Sequence, residues 1–307
     1  MKKIGKRVSV IFCGLFLVIG SLNCNVFAGP PESPVELYDF LGRSCHRVAQ
    51  AIYGWGGGWD PNGGVETTQL IDPVSPERQA FYQQNASATV GMQYTFGLRA
   101  QCMDCSGLTA NICRSTWPQS DWGQILGPQR MGSHRIGPSL EADGWGQVCP
   151  HGTAAPAPGD LAFTETAGHI AIVVACCSDG SVVLLESTPP RIALRGTPST
   201  SGRRASEAAA LSEEFMARYH PGDCEQFRGW ETQTLWLVNN PWMDDHPQVR
   251  DTLSLFCHHK AINEYALFKF NQRVVTDRTG LRRMDPREVM ERVVTWWAAQ
   301  RGEALDH

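Results

Sequence analysis

The spacing of apolar residues changes along this chain, and that change limits the folds open to it. The helical candidates up to about residue 116 place apolar residues every three or four positions. From Asp160 the period becomes two, and we expect strands at 161–163, 169–175, 182–185 and 232–238. After Pro241 the helical period returns. Helices followed by a run of strands, rather than alternating with them, predict an α+β fold with a small antiparallel sheet.

Helix boundaries are marked by capping residues. Residues 33–36 and 285–288 have the pattern of a capping box, and Asp104 is a good N-cap for a further helix. We expect the first of these helices to run to about Ala51 and the last to end before Gly302. Stretches without a clear period are predicted to be mostly loop: 59–101, 117–157 and 196–210.

The N-terminus has the order of regions found in a secretory signal. Residues 1–7 are basic, residues 8–22 are apolar, and Val26 and Ala28 stand at −3 and −1 of a cut before Gly29. An apolar run of 15 residues is short for a membrane span, which needs about 20. We therefore expect a signal peptide at 1–28 and a secreted chain in the periplasm or outside the cell, without a membrane anchor once the signal is cleaved.

Charge and cysteine content limit the partners and the compartment further. The net charge is −4 and the leader holds four basic and no acidic residues, so the remaining chain has no basic field and nucleic acid is excluded as a partner. The leader takes two of the 11 cysteines with it. Nine cysteines in an oxidising space predict up to four disulfides and at least one cysteine left unpaired within the chain.

The motif D-C-S-G-L at 104–108 is the strongest chemical signal. With Asp104 as N-cap, Cys105 lies in the first helical turn, where free N–H groups and the helix dipole favour a thiolate. A thiolate is the nucleophile that amide cleavage needs. Two other interpretations stay open at this point: a disulfide cysteine, or a redox pair with Cys102, although no parallel βαβ pattern precedes that pair.

Two further residues complete a possible catalytic set. His169 begins a strand that is otherwise nearly all apolar, and Glu186 ends the next strand. Each alone could be structural, but with Cys105 they supply a nucleophile, a base and an orienting acceptor. A two-residue turn at 179–180 places Glu186 opposite Val173, on the same sheet face as His169 but about 13 Å along the strand. A bulge or strong coiling is therefore needed to bring the two together.

Four motifs, in order, resemble those of the NlpC/P60 cysteine peptidases, which are papain-like cell-wall hydrolases. They are Y-G-W-G-G at 53–57, D-C-S-G-L at 104–108, P-G-D-L at 158–161 and G-H-I-A-I at 168–172. The resemblance covers roughly residues 34–240. It implies a papain-like fold and hydrolysis of peptidoglycan stem peptides, commonly at the γ-D-glutamyl to diamino-acid bond, without a cofactor.

The resemblance also assigns roles to residues. Cys105 would be the nucleophile, His169 its base, and Tyr53 a neighbour of the thiol that orients substrate. Asp104 and Ser106 match positions that contact the peptide on the acyl side in some members.

Two departures from the family stand out. An insertion at 59–101 separates the first two motifs, where the family has few residues. The third catalytic residue, Glu186, follows His169 by 17 positions, a placement similar to that in the CHAP amidases.

The resulting expectation is a catalytic domain at 29–243 followed by a C-terminal helical extension at 244–307. Two other functions remain open. One is a Cys-His amidase, acyltransferase or toxin acting on an amide or ester outside peptidoglycan, and the other is a non-catalytic, disulfide-stapled binding protein. A metal site is not expected, because the remaining histidine and cysteine candidates lack paired ligand spacing: His220, Cys257, His258 and His259.

Overall fold

A computed structural model describes much of the chain outside the predicted signal peptide. The described residues are 29–55, 57–58, 89–90, 102–126, 132–165, 168–226, 235–237 and 260–301. The predicted signal at 1–28 and nearly all of the predicted insertion at 59–101 lie outside them. Within the described ranges, no helix has the length and apolar character needed to cross a membrane.

The described residues form twelve strands and seven helices. The strands are β1 (Val35–Glu36), β2 (Ile52–Trp55), β3 (Thr89–Val90), β4 (Cys102–Met103), β5 (Gly146–Cys149), β6 (Leu161–Phe163), β7 (Ile170–Cys176), β8 (Val182–Thr188), β9 (Arg191–Gly196), β10 (Leu235–Leu237), β11 (Ala266–Phe270) and β12 (Val275–Thr276). The helices are α1 (Leu37–Cys45), α2 (Cys105–Thr116), α3 (Trp122–Ile125), α4 (Ser133–Ala142), α5 (Glu207–Tyr219), α6 (Pro221–Gln226) and α7 (Pro286–Arg301).

Most of the strands join one curled sheet. Its order is β5-β11-β6-β7-β8-β9-β2, and every pair along this path is antiparallel. At the β2 end, β4 and β10 both pair with β2 in parallel, and β3 pairs with β10. The expectation of a mixed α+β architecture built on an antiparallel sheet is confirmed.

The sheet has apolar residues packed on both faces. The main core combines helices α1, α2, α4, α5 and α7 with residues such as Ile170, Ile172 and Leu185. On the other face, Ala171, Val173 and neighbouring strand residues form a smaller cluster with the segment around Ile262. The central strands are therefore almost fully buried, which explains why β7 and the first four residues of β8 are continuous apolar runs.

The first helix begins later and ends earlier than the sequence predicts. Val35 and Glu36 are extended and pair in parallel with β12, so that α1 starts at Leu37 and not at the predicted capping box. The Glu36 carboxylate accepts hydrogen bonds from the backbone of residues 278 and 279. Glu36 thus binds a partner more than 200 residues away, and α1 begins without a side-chain cap. The helix ends at Cys45, and Ala49 just beyond it has a φ of 63°.

Two stretches predicted to be loop contain regular structure. Residues 117–157 include α3, α4 and β5, and residues 196–210 include the start of α5 at Glu207. Ser206 caps α5 by accepting a hydrogen bond from the backbone N–H of Ala209. Strand β9 was not predicted either. These elements were missed because their polar and small residues give no clear apolar period. Tertiary packing, rather than a local pattern, stabilises them.

The C-terminal segment is not purely helical. Helix α7 begins at Pro286 after the predicted cap, Asp285, whose carboxylate accepts from Arg287 N at 2.9 Å. Strand β11, however, precedes it and lies inside the sheet between β5 and β6. Residues 266–270 therefore belong to the same sheet as the motifs at 158–172.

Candidate active site

The N-terminus of α2 positions Cys105. Asp104 is the N-cap, and its carboxylate accepts the Gly107 N–H at 2.7 Å and the Ser106 hydroxyl at 2.8 Å. These two bonds define the first turn and hold the Cys105 backbone N–H at the helix end, as the capping pattern predicted.

Glycines let β2 and α2 approach closely. A Cβ at Gly107 would lie 2.0 Å from the Gly57 carbonyl oxygen, and a Cβ at Gly57 would lie 2.4 Å from the Cys102 carbonyl oxygen. Neither position can carry a side chain without moving backbone. Gly57 and Gly107 of the D-C-S-G motif therefore allow the two backbones to approach closely.

His169 and Glu186 form a buried hydrogen-bonded pair. His169 Nε2 lies 2.9 Å from Glu186 Oε2, and both side chains are 0% exposed. The other carboxylate oxygen, Oε1, lies 3.6 Å from Arg195 Nε. Sequence reasoning missed Arg195 because β9 was not predicted.

The register of β7 and β8 explains how this pair meets. The turn falls around Asp179–Gly180 as predicted, but the nearest strand pair is Cys176 with Val182, so the connection is one residue longer than a two-residue hairpin requires. A further residue, Val174, is in excess on β7 at a bulge. Each irregularity moves Glu186 one position along β7.

Glu186 therefore comes opposite Ala171 and not, as predicted, opposite Val173. Its neighbour Leu185 pairs with Ile172, which sets this register directly. Two positions separate Ala171 from His169, and such a diagonal pair lies about 7–8 Å apart at the backbone, within reach of a glutamate side chain. The bulge that the sequence required is present.

The Cys105 thiol lies against the chain on both sides of His169. Its Sγ is 4.0 Å from the Gly168 carbonyl oxygen, and the Ile170 backbone N–H also faces the sulfur. Burial, and secondarily the Asp104 carboxylate, raise the pKa of Cys105 well above its ordinary value. The backbone N–H groups of Ile170 and Ser106 offset only part of that effect. The resting site thus favours a neutral thiol, whereas the sequence predicted a thiolate.

The three residues expected to contact substrate lie near the nucleophile. Tyr53 on β2 pairs in register with Met103, two positions before Cys105, and is 1% exposed. Asp104 and Ser106 flank Cys105 and are 8% and 5% exposed. Their observed bonds build the helix cap, so any contact with substrate would add to a structural role.

The described residues include eight of the cysteines of the chain. No disulfide joins any two of these eight, and the predicted disulfides stay a prediction. Cys176 packs on the smaller cluster and Cys177 on the main core, so these neighbours point to opposite faces of the sheet. Among the described residues no three His, Cys, Asp or Glu side chains group as a metal site would, and of the candidates weighed only His220 is described.

No protein-family model, no curated protein and no solved structure matches this chain. Its function must therefore be inferred from the site itself.

Proposed function

We propose that this protein is a secreted cysteine hydrolase that cleaves an amide bond in peptidoglycan stem peptides, through Cys105, His169 and Glu186. The observation that carries the proposal is the fully buried His169–Glu186 hydrogen bond beside a cysteine at a helix N-terminus. The nucleophile lies on α2, the base directly before β7 and the orienting carboxylate on β8, so the three roles come from separate parts of the chain.

The hydrogen bonds assign the protons. A carboxylate only accepts, so His169 Nε2 carries the proton toward Glu186, and Nδ1 is the nitrogen that can take the thiol proton. As His169 removes that proton, the sulfur of Cys105 attacks the scissile carbonyl carbon. Backbone N–H groups at the start of α2, including that of Cys105, stabilise the oxyanion.

The second half of the reaction reverses the proton transfer. His169 gives its proton to the leaving amine, and a thioester to Cys105 remains. A water molecule activated by the same imidazole then attacks the thioester and frees the acid and the thiol. Because the resting thiol is neutral, proton transfer to His169 accompanies attack instead of preceding it.

The substrate assignment rests on the ordered motifs that resemble NlpC/P60 peptidases. The structure brings the regions of these motifs close together, because β2 pairs with β4 and with β9, and β6 pairs with β7. The γ-D-glutamyl to diamino-acid bond is the cleavage point we expect.

A second candidate is a Cys-His amidase or acyltransferase that uses the same site on a different amide or ester. Its support is β3 (Thr89–Val90), which belongs to the predicted insertion at 59–101. This strand pairs with β10, which pairs with β2, so the insertion extends the sheet on the side that carries Tyr53. A change of specificity relative to the family would fit that position.

A muropeptide digest read by mass spectrometry tests the proposal. The wild-type protein should release stem-peptide fragments, Cys105→Ala should release none, and Glu186→Gln should be slower by about 10²–10⁴-fold, the usual range for an acid–base contribution. Cys149→Ala is the matched control, because Cys149 lies at the sheet edge on β5, away from the site.

Intact stem peptides after incubation with the wild-type protein would sink the peptidoglycan assignment and favour the second candidate. Cleavage by the Cys105→Ala variant would show that Cys105 is not the nucleophile.

A further inference from the structure

A small basic cleft lies on the side of α1 where α2 and α7 meet it. It has a volume of about 190 Å³ and is lined by Arg43, His46, Arg47, Ser115, Trp296 and Gln300. We call these six residues the basic cleft. None of them belongs to the site around Cys105. The three basic side chains lie at the C-terminal end of α1. Ser115 of α2 and Gln300 of α7 line the same cleft.

The two arginines of the cleft repel each other. Burial, and secondarily the charge of Arg43, lower the pKa of Arg47. Within the described ranges, no carboxylate lies within 4.0 Å of either guanidinium. Asp39, one turn before Arg43, accepts the Trp296 indole N–H at 2.8 Å instead. Two like charges held together in this way are stabilised by a bound anion.

Arg47 also presents a donor that lacks an acceptor among the described residues. Its Nε is buried and makes no hydrogen bond. A buried N–H without an acceptor is costly, and more so on a charged group. The C-terminal dipole of α1 attracts basic side chains, but an exposed arginine would satisfy it equally well. The dipole therefore does not account for the buried Nε.

The size of the cleft limits what can bind. Sites for whole small-molecule ligands occupy about 300–1,000 Å³. A volume of about 190 Å³ suits a single anionic group. Guanidinium groups match the oxygens of phosphate with paired N–H donors. The Gln300 amide adds a neutral donor at the rim, whereas the Ser115 hydroxyl already donates to the Ile112 carbonyl oxygen at 3.0 Å.

We propose that the basic cleft binds a phosphate group through Arg43 and Arg47. The site is separate from the proposed hydrolase site and does not depend on hydrolysis. Its ligand is either free inorganic phosphate or a phosphate ester on a larger molecule.

Calorimetric titration of the full chain tests this inference directly. Inorganic phosphate and glycerol 3-phosphate are titrated separately, at ionic strength held constant with sodium chloride. We expect saturable binding to the wild-type protein, and Arg47→Gln and Arg43→Gln should each weaken it by about tenfold or more, since each removes a charge-assisted hydrogen bond. Arg204→Gln is the control, because Arg204 is an exposed arginine outside the cleft.

Each outcome decides the question. Tighter binding of glycerol 3-phosphate assigns an esterified phosphate, and binding of inorganic phosphate alone assigns the free ion. The proposal is overturned if neither ligand binds, if both cleft variants bind as well as wild type, or if Arg204→Gln weakens binding equally. Arg43 is exposed, so Arg43→Gln keeps the test valid should Arg47→Gln fail to fold.

Discussion

Cys105 lies where two electrostatic effects oppose each other. The N-terminal end of α2 favours negative charge on the sulfur, whereas burial and the capping carboxylate of Asp104 favour the neutral thiol. Burial is the largest influence on the pKa of Cys105 and raises it, and the Asp104 carboxylate is the next. Asp104 therefore has two effects: it caps α2, and its charge makes Cys105 harder to ionise.

This balance predicts the pH dependence of Cys105 alkylation. In the wild-type protein a raised thiol pKa means that the labelling rate should continue to rise with pH beyond 9, the ordinary value for the group. In Asp104→Asn the cap is kept, since asparagine caps as well as aspartate, but a negative charge is removed and the curve should move to lower pH. Iodoacetamide labelling followed by peptide mass spectrometry isolates Cys105 from the other cysteines.

Asp121→Asn is the matched control for that experiment, because Asp121 caps α3 through Gln124 N and is not among the groups that shift the pKa of Cys105. Its curve should overlay the wild type. A wild-type rate that levels off below pH 7 would show a preformed thiolate and contradict the neutral thiol.

At the scale of elements, an ion pair joins strand β11 to the third motif, P-G-D-L. Asp160 of P-G-D-L is nearly fully buried and accepts from Ala157 N at 2.8 Å and from the Lys269 ammonium on β11. Lys269 also donates to the Ala155 carbonyl oxygen at 2.9 Å. The loop before β6 and strand β11 thus share one charge network, and the motif aspartate has a structural partner far away in sequence.

We expect Lys269→Met to destabilise the protein by about 1–3 kcal/mol, because it leaves the Asp160 carboxylate buried without its cation. Burial already raises the pKa of Asp160, so the loss should shrink as the pH falls and the carboxyl group takes up a proton. Chemical denaturation at several pH values measures both effects.

The double variant Asp160→Asn with Lys269→Met should recover much of that loss, since asparagine is neutral and can still accept from Ala157 N. Lys260→Met serves as the control, since Lys260 makes no ion pair with a described residue. A double variant no more stable than Lys269→Met would show that the charge of Asp160 is not the cause.

At the scale of the whole molecule, the two ends of the described chain close one structure. Strand β1 pairs with β12, α7 packs on α1, and β11 fills the place between β5 and β6. Trp296 of α7 lies directly over Gly42 of α1, where a Cβ would come within 2.3 Å of the indole. The described part of the predicted C-terminal extension, residues 260–301, is therefore packed into the core.

A chain that ends at residue 259 should consequently lose cooperative folding. It lacks β11, whose two neighbours would each be left with an open edge, and it lacks the apolar face of α7. Thermal unfolding followed by far-UV circular dichroism should show no sharp transition. A chain that ends at Arg301 keeps every contact named above and should unfold like the full chain, whereas a sharp transition in the shorter chain would prove the C-terminal segment dispensable.

Local chemistry could be predicted from the sequence. The cap at Asp104, the helix start at Pro286, the turn around Asp179–Gly180 and the α+β architecture all depend on residues a few positions apart, so the pattern alone determined them. Cys105, His169 and Glu186 were predicted as a catalytic set from residue types near the ends of predicted elements, and that role stays a prediction. In the structure His169 directly precedes β7 and Glu186 lies inside β8.

The tertiary structure decided what depends on distant partners. The register that brings Glu186 to His169 depends on one bulge and one extra turn residue. Neither can be predicted from the sequence, because β7 is almost uniformly apolar and its pattern is the same in every register. The pairing of β1 with β12 shortened α1, and insertion of β11 made the C-terminal segment part of the sheet. Arg195 and the neutral state of Cys105 follow from packing and burial, which arise only when segments far apart in the chain exclude water together.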